Sequence, residues 1–131
     1  HILFVLKFED LVMFLTAQKH IHPTNENQAV VDWSFSTDWI DKIEFDYHLN
    51  LKQSLDFVFE DICFQITGES KNVEDISTLI SKEQKRKHLE KRIEKLKSEI
   101  KRCKQFNTKV ELNRELLGCE KELIQFNKCR G

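Results

Sequence analysis

The sequence predicts an α+β fold: a small antiparallel sheet with a covering helix, followed by a C-terminal antiparallel helical hairpin of coiled-coil type. Three observations predict it. Short β-rich runs fill the first third, and one amphipathic helical stripe follows. The last third carries two apolar stripes that mirror each other. Leu89, Ile93, Leu96, Ile100 and Cys103 step by four, three, four and three. Leu112, Leu116, Cys119, Leu123 and Phe126 do the same. Pairing them from the outside in gives residue-number sums that alternate between 215 and 216. A constant sum is what two antiparallel helices folded about a tight turn require.

The elements follow in order. Ile2–Phe8 is rich in β-formers and reads as a strand, and Leu11–Gln18 is a second one joined to it through Glu9-Asp10. His20 to Gln28 reads as a loop, with Pro23 and Asn25 as turn residues. Ala29–Ser36 is a third strand, with Val31, Trp33 and Phe35 on one face and Asp32, Ser34 and Ser36 on the other. A mixed connection follows, with a short extended piece at Lys42–Phe45. Asn50 is then placed as the N-cap of a helix running to about Ile66, with Gly68 as the glycine after its end. Leu55, Val58, Phe59, Ile62 and Ile66 form its buried stripe, while Phe57 and Phe64 lie off it. A helix apolar on two sides sits between layers, or covers a sheet face while touching another element.

Glu69–Asn72 is a polar link, and Val73, Ile76, Leu79 and Ile80 suggest helical turns leading into a long basic helix from about Ser81 to Lys104. Gln105-Phe106-Asn107 is placed as the turn. Thr108-x-x-Glu111 reads as a capping box that opens the last helix, which contains Gly118 and runs to about Asn127. The competing reading is one straight helix. It would put Asn107, Val110, Arg114, Leu117, Lys121 and Ile124 in the seam, and half of these are polar. The domain division is residues 1–68 for a partial α+β domain, 69–80 for a linker and lead-in, and 81–131 for the hairpin.

Charge divides along the same boundaries. Residues 1–81 hold 5 Lys+Arg and 14 Asp+Glu, whereas residues 82–104 hold 11 and 4. An acidic front precedes a basic helix. Within that helix Lys85, Arg86, Lys91, Arg92, Lys95 and Arg102 are the candidate phosphate contacts, and counterion release would make such binding salt-dependent. The competing reading is a solvated flank whose lysine stems cover the seam. No aromatics are interleaved for base stacking.

Catalytic chemistry has little to stand on. The acids Asp32, Asp38, Asp41, Glu44 and Asp46 suggest a metal-dependent nuclease only if an acid is followed two positions later by Lys on a strand, and none is. His20 and His22 could share a metal with His48 or Asp32, but no spacing rule fixes a third ligand. The glycines at 68, 118 and 131 cannot build a phosphate loop. No catalytic, metal or cofactor residue is assigned, and no small-molecule ligand is expected. Trp33, Trp39, Phe45 and Tyr47 fall close together and either anchor a partner or pack inside. Cys63, Cys103, Cys119 and Cys129 are widely spaced and read as free thiols in a reducing cytoplasm. No apolar run reaches the ~20 residues a membrane span needs. The chain opens at His1 directly into an apolar run, which reads as a cut inside a longer protein.

Several segments carry a family resemblance: HILFVLKFE at the start, STDWI at 36–40, LNLKQSLDFVFEDI at 49–62, and LEKRIEKLKSEI followed by KQFNTKVELNRELL. Together they resemble a bacterial and archaeal family labelled only as domain of unknown function 4391. The resemblance spans essentially the whole chain. It implies a sizeable N-terminal region before the counterpart of His1. It also implies a gene context beside helicases and DNA methyltransferases, as in restriction or phage-defence loci. The expected function is therefore a non-catalytic accessory or scaffold subunit of a DNA-handling assembly, with a helicase or DNA methyltransferase as protein partner. The alternatives are a nuclease or other enzyme with its site in the N-terminal region, or direct nucleic-acid binding by helix 82–104.

Overall fold

A computed structural model describes residues 1–44, 46–69 and 75–128. The architecture is α+β. A small antiparallel sheet is followed by one shorter helix and two long ones, and the chain divides into two compact units, His1–Ile76 and Ser77–Gly131.

In the first unit, β1 (Leu3–Phe8), β2 (Leu11–His22) and β3 (Asn25–Ser36) pair antiparallel in the order β1-β2-β3. The two-residue β4 (Ile40–Asp41) pairs with the start of β2. The Glu9-Asp10 loop is tight enough to hold Glu9 at φ 53, a left-handed conformation that L-residues seldom adopt. Lys42 fastens that turn. Its backbone N–H donates to the Asp10 carbonyl at 2.9 Å, and its ammonium donates to the Glu9 carbonyl and the Asp10 carboxylate.

Alternate residues of β2 point inward. Val12, Phe14 and Thr16 are buried, and they pair across the sheet with Lys7, Val5 and Leu3. Phe35 of β3 joins that face opposite Thr16. α1 (Leu55–Thr67) lies against β3 and adds Phe59, Ile62, Cys63, Phe64 and Ile66 to the buried set. These buried positions occupy more than one side of α1, as its two apolar sides require.

Several expectations need correction. The residues 20–28 are not a loop: β2 continues to His22, β3 begins at Asn25, and only Pro23-Thr24 turns. Val31 does not share the inner face with Trp33 and Phe35. Gln18 pairs with Trp33 but Lys19 pairs with Val31, so Asp32 is an extra residue, a β-bulge. Because side chains alternate with period two, one inserted residue moves everything beyond it to the other face. Val31 is accordingly 52% exposed. The extended piece expected at Lys42–Phe45 is instead β4 at Ile40–Asp41 followed by a turn at Lys42–Glu44, and Phe45 lies outside the described residues.

The covering helix starts later than expected. Ser54, not Asn50, is the N-cap: its Oγ accepts the Phe57 N–H at 3.3 Å. The Asn50 side chain accepts the Lys52 N–H and closes a local turn instead. Leu55 consequently sits in the first turn and is 79% exposed rather than part of the buried stripe. Gly68 ends the helix with φ 71, as the sequence predicts.

In the second unit α2 (Ile76–Arg102) begins some five residues before Ser81, and α3 spans Phe106–Lys128. Val73 and most of the polar link, like Cys129, lie outside the described residues. The straight-helix alternative fails, because the helix breaks at Cys103-Lys104-Gln105, two residues before the expected turn. The capping box also fails. The Lys109 N–H donates to the Gln105 carbonyl at 3.0 Å, which makes Gln105 the half-helical residue and places Thr108 inside the first turn. The Thr108 hydroxyl bonds the Gln105 side chain instead of a backbone N–H.

Candidate functional site

The helical hairpin is built from two amphipathic segments with opposite chain direction. On α2, Leu89, Ile93 and Leu96 are buried, Leu96 completely, and Ile100 is half-buried, as is Cys103 just past its end. On α3, the half-buried positions are Leu112, Leu116, Cys119, Glu120, Leu123 and Phe126, and every other described residue of that helix is exposed. All ten residues of the two mirrored stripes are thus at least partly covered. No described residue of α3 is fully buried, so the helix keeps most of its circumference in solvent.

Among the described residues, two ion pairs tie α2 to α3. The Arg92 guanidinium donates from Nε to the Glu115 carboxylate at 2.9 Å, and Lys97 Nζ lies 3.0 Å from Glu120. The hydrogen bond to Glu115, then its negative charge, raises the Arg92 pKa above its already high ordinary value, so the guanidinium stays protonated. Toward the open end, Ser81, Gln84, Lys85, His88 and Leu89 of α2 line one groove with Glu122 and Phe126 of α3.

These contacts change what the basic helix offers. Of the six candidate phosphate contacts, Arg86 is committed to Glu83 and Glu90, at 2.7 and 2.8 Å. Glu83 is itself buried, so this cluster belongs to the interior edge of α2. Hydrogen bonding to Glu83 is the largest cause raising the Arg86 pKa. Arg92 is committed to Glu115, and Lys95 lies 3.8 Å from Glu99. Lys85, Lys91 and Arg102 are exposed. The positive charge counted from the sequence is therefore partly neutralised in place.

The remaining candidates do not converge. His20 and His22 lie on β2, not in a loop. His20 Nδ1 is 2.7 Å from the carboxylate of Asp32, the bulge residue, and His22 Nδ1 accepts the Thr24 N–H. Among the described residues no three His, Cys, Asp or Glu side chains form a cluster able to hold a metal ion. The Asp41 carboxylate accepts the Ile43 N–H in its own turn. The aromatics are split between the sheet faces: Tyr47 packs on Phe14 at 5.2 Å, and Trp39 meets Phe8 edge-on at 6.4 Å. Burial raises the Tyr47 pKa. The Cys63 thiol is fully buried, and burial followed by the nearby Glu60 charge pushes its pKa up to about 12. That thiol is a poor nucleophile. No helix among the described residues is long and apolar enough to cross a membrane.

One surface is absent from the site residues the sequence suggested. On α3, Phe106, Val110, Leu117 and Ile124 are 78%, 43%, 57% and 54% exposed. Val110, Leu117 and Ile124 are seven residues apart, and Phe106 precedes Val110 by four, so they share one helix face away from the covered stripe. The spacing is visible in the sequence, where it supports only the straight-helix alternative.

No curated protein and no solved structure gives a significant match to this chain. The profile of one protein family, described as Domain of unknown function (DUF4391), matches residues 1–123. That span covers the sheet, α1, α2 and most of α3, and the chain belongs to the DUF4391 family.

Proposed function

We propose that this chain is a non-catalytic docking or scaffold subunit whose helical hairpin is the arm that engages a protein partner. The observation that carries this reading is the build of the arm. Two helices of 27 and 23 residues form a compact unit with α2's stripe buried, while α3 keeps most of its surface in water. A helix that fulfils its structural role with one narrow stripe has the rest of its surface available for recognition. Ion pairing of Arg86, Arg92, Lys95 and Lys97 favours protein docking over nucleic-acid binding, because these charges already have partners.

The gene context implied by the family resemblance directs the proposal further. The partners expected are a helicase or a DNA methyltransferase of a DNA-handling assembly of the restriction or phage-defence type. The test is co-expression of the tagged chain with the neighbouring helicase and methyltransferase subunits, followed by affinity purification. The wild-type chain should retain a partner at stoichiometric level. Leu96→Asp with Ile100→Asp should release it, while Trp33 and Trp39 fluorescence shows the sheet unit intact. Retention of the partner by that variant would contradict the arm as the docking element.

A further inference from the structure

We propose that the outer face of α3 receives an acidic amphipathic helix from the partner protein; this rests on the docking-arm reading and specifies the chemistry of its partner. The face is a narrow apolar line of Phe106, Val110, Leu117 and Ile124, all exposed. Its period of seven is the repeat by which one α-helix packs along another.

The charges bordering the line choose the partner. Arg114, Lys121 and Lys128 lie on or beside this face, and none of them forms an ion pair among the described residues. The one acid beside the line, Glu120, is already held by Lys97 at 3.0 Å. The face therefore carries two adjacent lines, one apolar and one basic, with Arg114, Lys121 and Lys128 at the alternate seam positions. Its complement is a helix with an apolar seam flanked by Glu or Asp.

Two alternatives fit less well. A second copy of α3 laid on this face would oppose Arg114 and Lys121 of one chain to the same residues of the other, and like charges repel. A lipid surface favours a broad apolar face, whereas Arg114 and Lys121 interrupt this one.

The experiment uses the full chain and a synthetic amphipathic peptide of about three heptads, with Leu in the seam and Glu at the flanking positions. A second peptide keeps the seam and carries Lys instead of Glu. Binding is read by fluorescence anisotropy, with anionic vesicles and duplex DNA as further probes. The acidic peptide should bind at least about tenfold more tightly than the basic one, and Leu117→Glu should weaken it by about tenfold or more. Arg114→Glu with Lys121→Glu should invert the preference, a gain of binding that misfolding cannot produce. Circular dichroism of these surface variants should match wild type. Equal binding of both peptides, binding of neither, or binding of vesicles or DNA through Leu117 without the acidic peptide would overturn the proposal. Those outcomes leave the docking-arm reading to its own test, since a partner captured through Leu96 and Ile100 but not Leu117 would place the contact elsewhere on the arm.

Discussion

Leu96→Ala is the most direct perturbation of the arm's interior. Leu96 is fully buried on α2, one turn from Ile93 and Ile100. Removing a buried Leu side chain down to Ala costs about 2–5 kcal/mol, the lower part applying where the surroundings can close into the space. The residues of the facing stripe on α3 are only half-buried, which lets them settle inward, so the expected cost is about 2–3 kcal/mol. At 1.4 kcal/mol per factor of ten, that is a loss of roughly thirtyfold or more in the folding equilibrium of the arm. Leu117→Ala, at a position 57% exposed, should change stability by less than about 0.5 kcal/mol. Urea titration separates the two units, because Trp33 and Trp39 both lie in the sheet unit and report it by fluorescence, while helix ellipticity reports mostly the arm. The ellipticity midpoint should fall for Leu96→Ala and stay for Leu117→Ala. Equal effects of the two substitutions, or no effect of the first, would refute the assignment of inner and outer faces.

Three further outcomes are expected. Lys97→Glu should destabilise the arm by about 0.5–1 kcal/mol by opposing Glu120, the exchange Lys97→Glu with Glu120→Lys should recover it, and high salt should shrink the difference. Ser54→Ala should cost about 1 kcal/mol through the lost cap of α1, whereas Asn50→Ala should cost less than about half of that. Cys63 should contribute a pH dependence. Its thiol titrates near 9.0 when free and near 12 when folded, so above pH 9 the unfolded chain loses a proton that the folded one keeps. Stability should therefore fall as pH rises through that window, by up to about 1.4 kcal/mol per pH unit more in wild type than in Cys63→Ala. Parallel stability–pH curves would show that the thiol is not shielded.

The parts of the fold that were legible in the sequence are those written in local periodicity. The stripe from Leu89 to Cys103 repeats over four turns, and its mirror from Leu112 to Phe126 is as regular, so the hairpin is legible in the sequence alone. The Gly68 stop was readable because one residue type answers one backbone need. The misread features each involve a choice between neighbours of similar chemistry. Asn50 and Ser54 are both competent caps, and only the path of the chain decides between them. Thr108 and Glu111 have the spacing of a capping box, but the bond from Lys109 to Gln105 starts the helix earlier. The Asp32 bulge leaves no mark in the alternation of residues 31–35, because an extra residue shows only in its pairing with β2. The outer stripe of α3 was legible as a spacing but not as a surface, since a heptad line reads the same whether it is covered or bare.

The docking arm exists only if α2 and α3 run side by side after the chain reverses at Cys103-Lys104-Gln105. Pulsed electron paramagnetic resonance between spin labels at the exposed Gln84 and Gln125 measures this, with the native cysteines replaced by Ala or Ser. Helices packed at 8–10 Å place the two backbones within about 20 Å of each other. An unbroken helix would separate them by about 60 Å at 1.5 Å per residue. A single narrow distribution at the short distance is expected, and a population near the long one would contradict the docking arm.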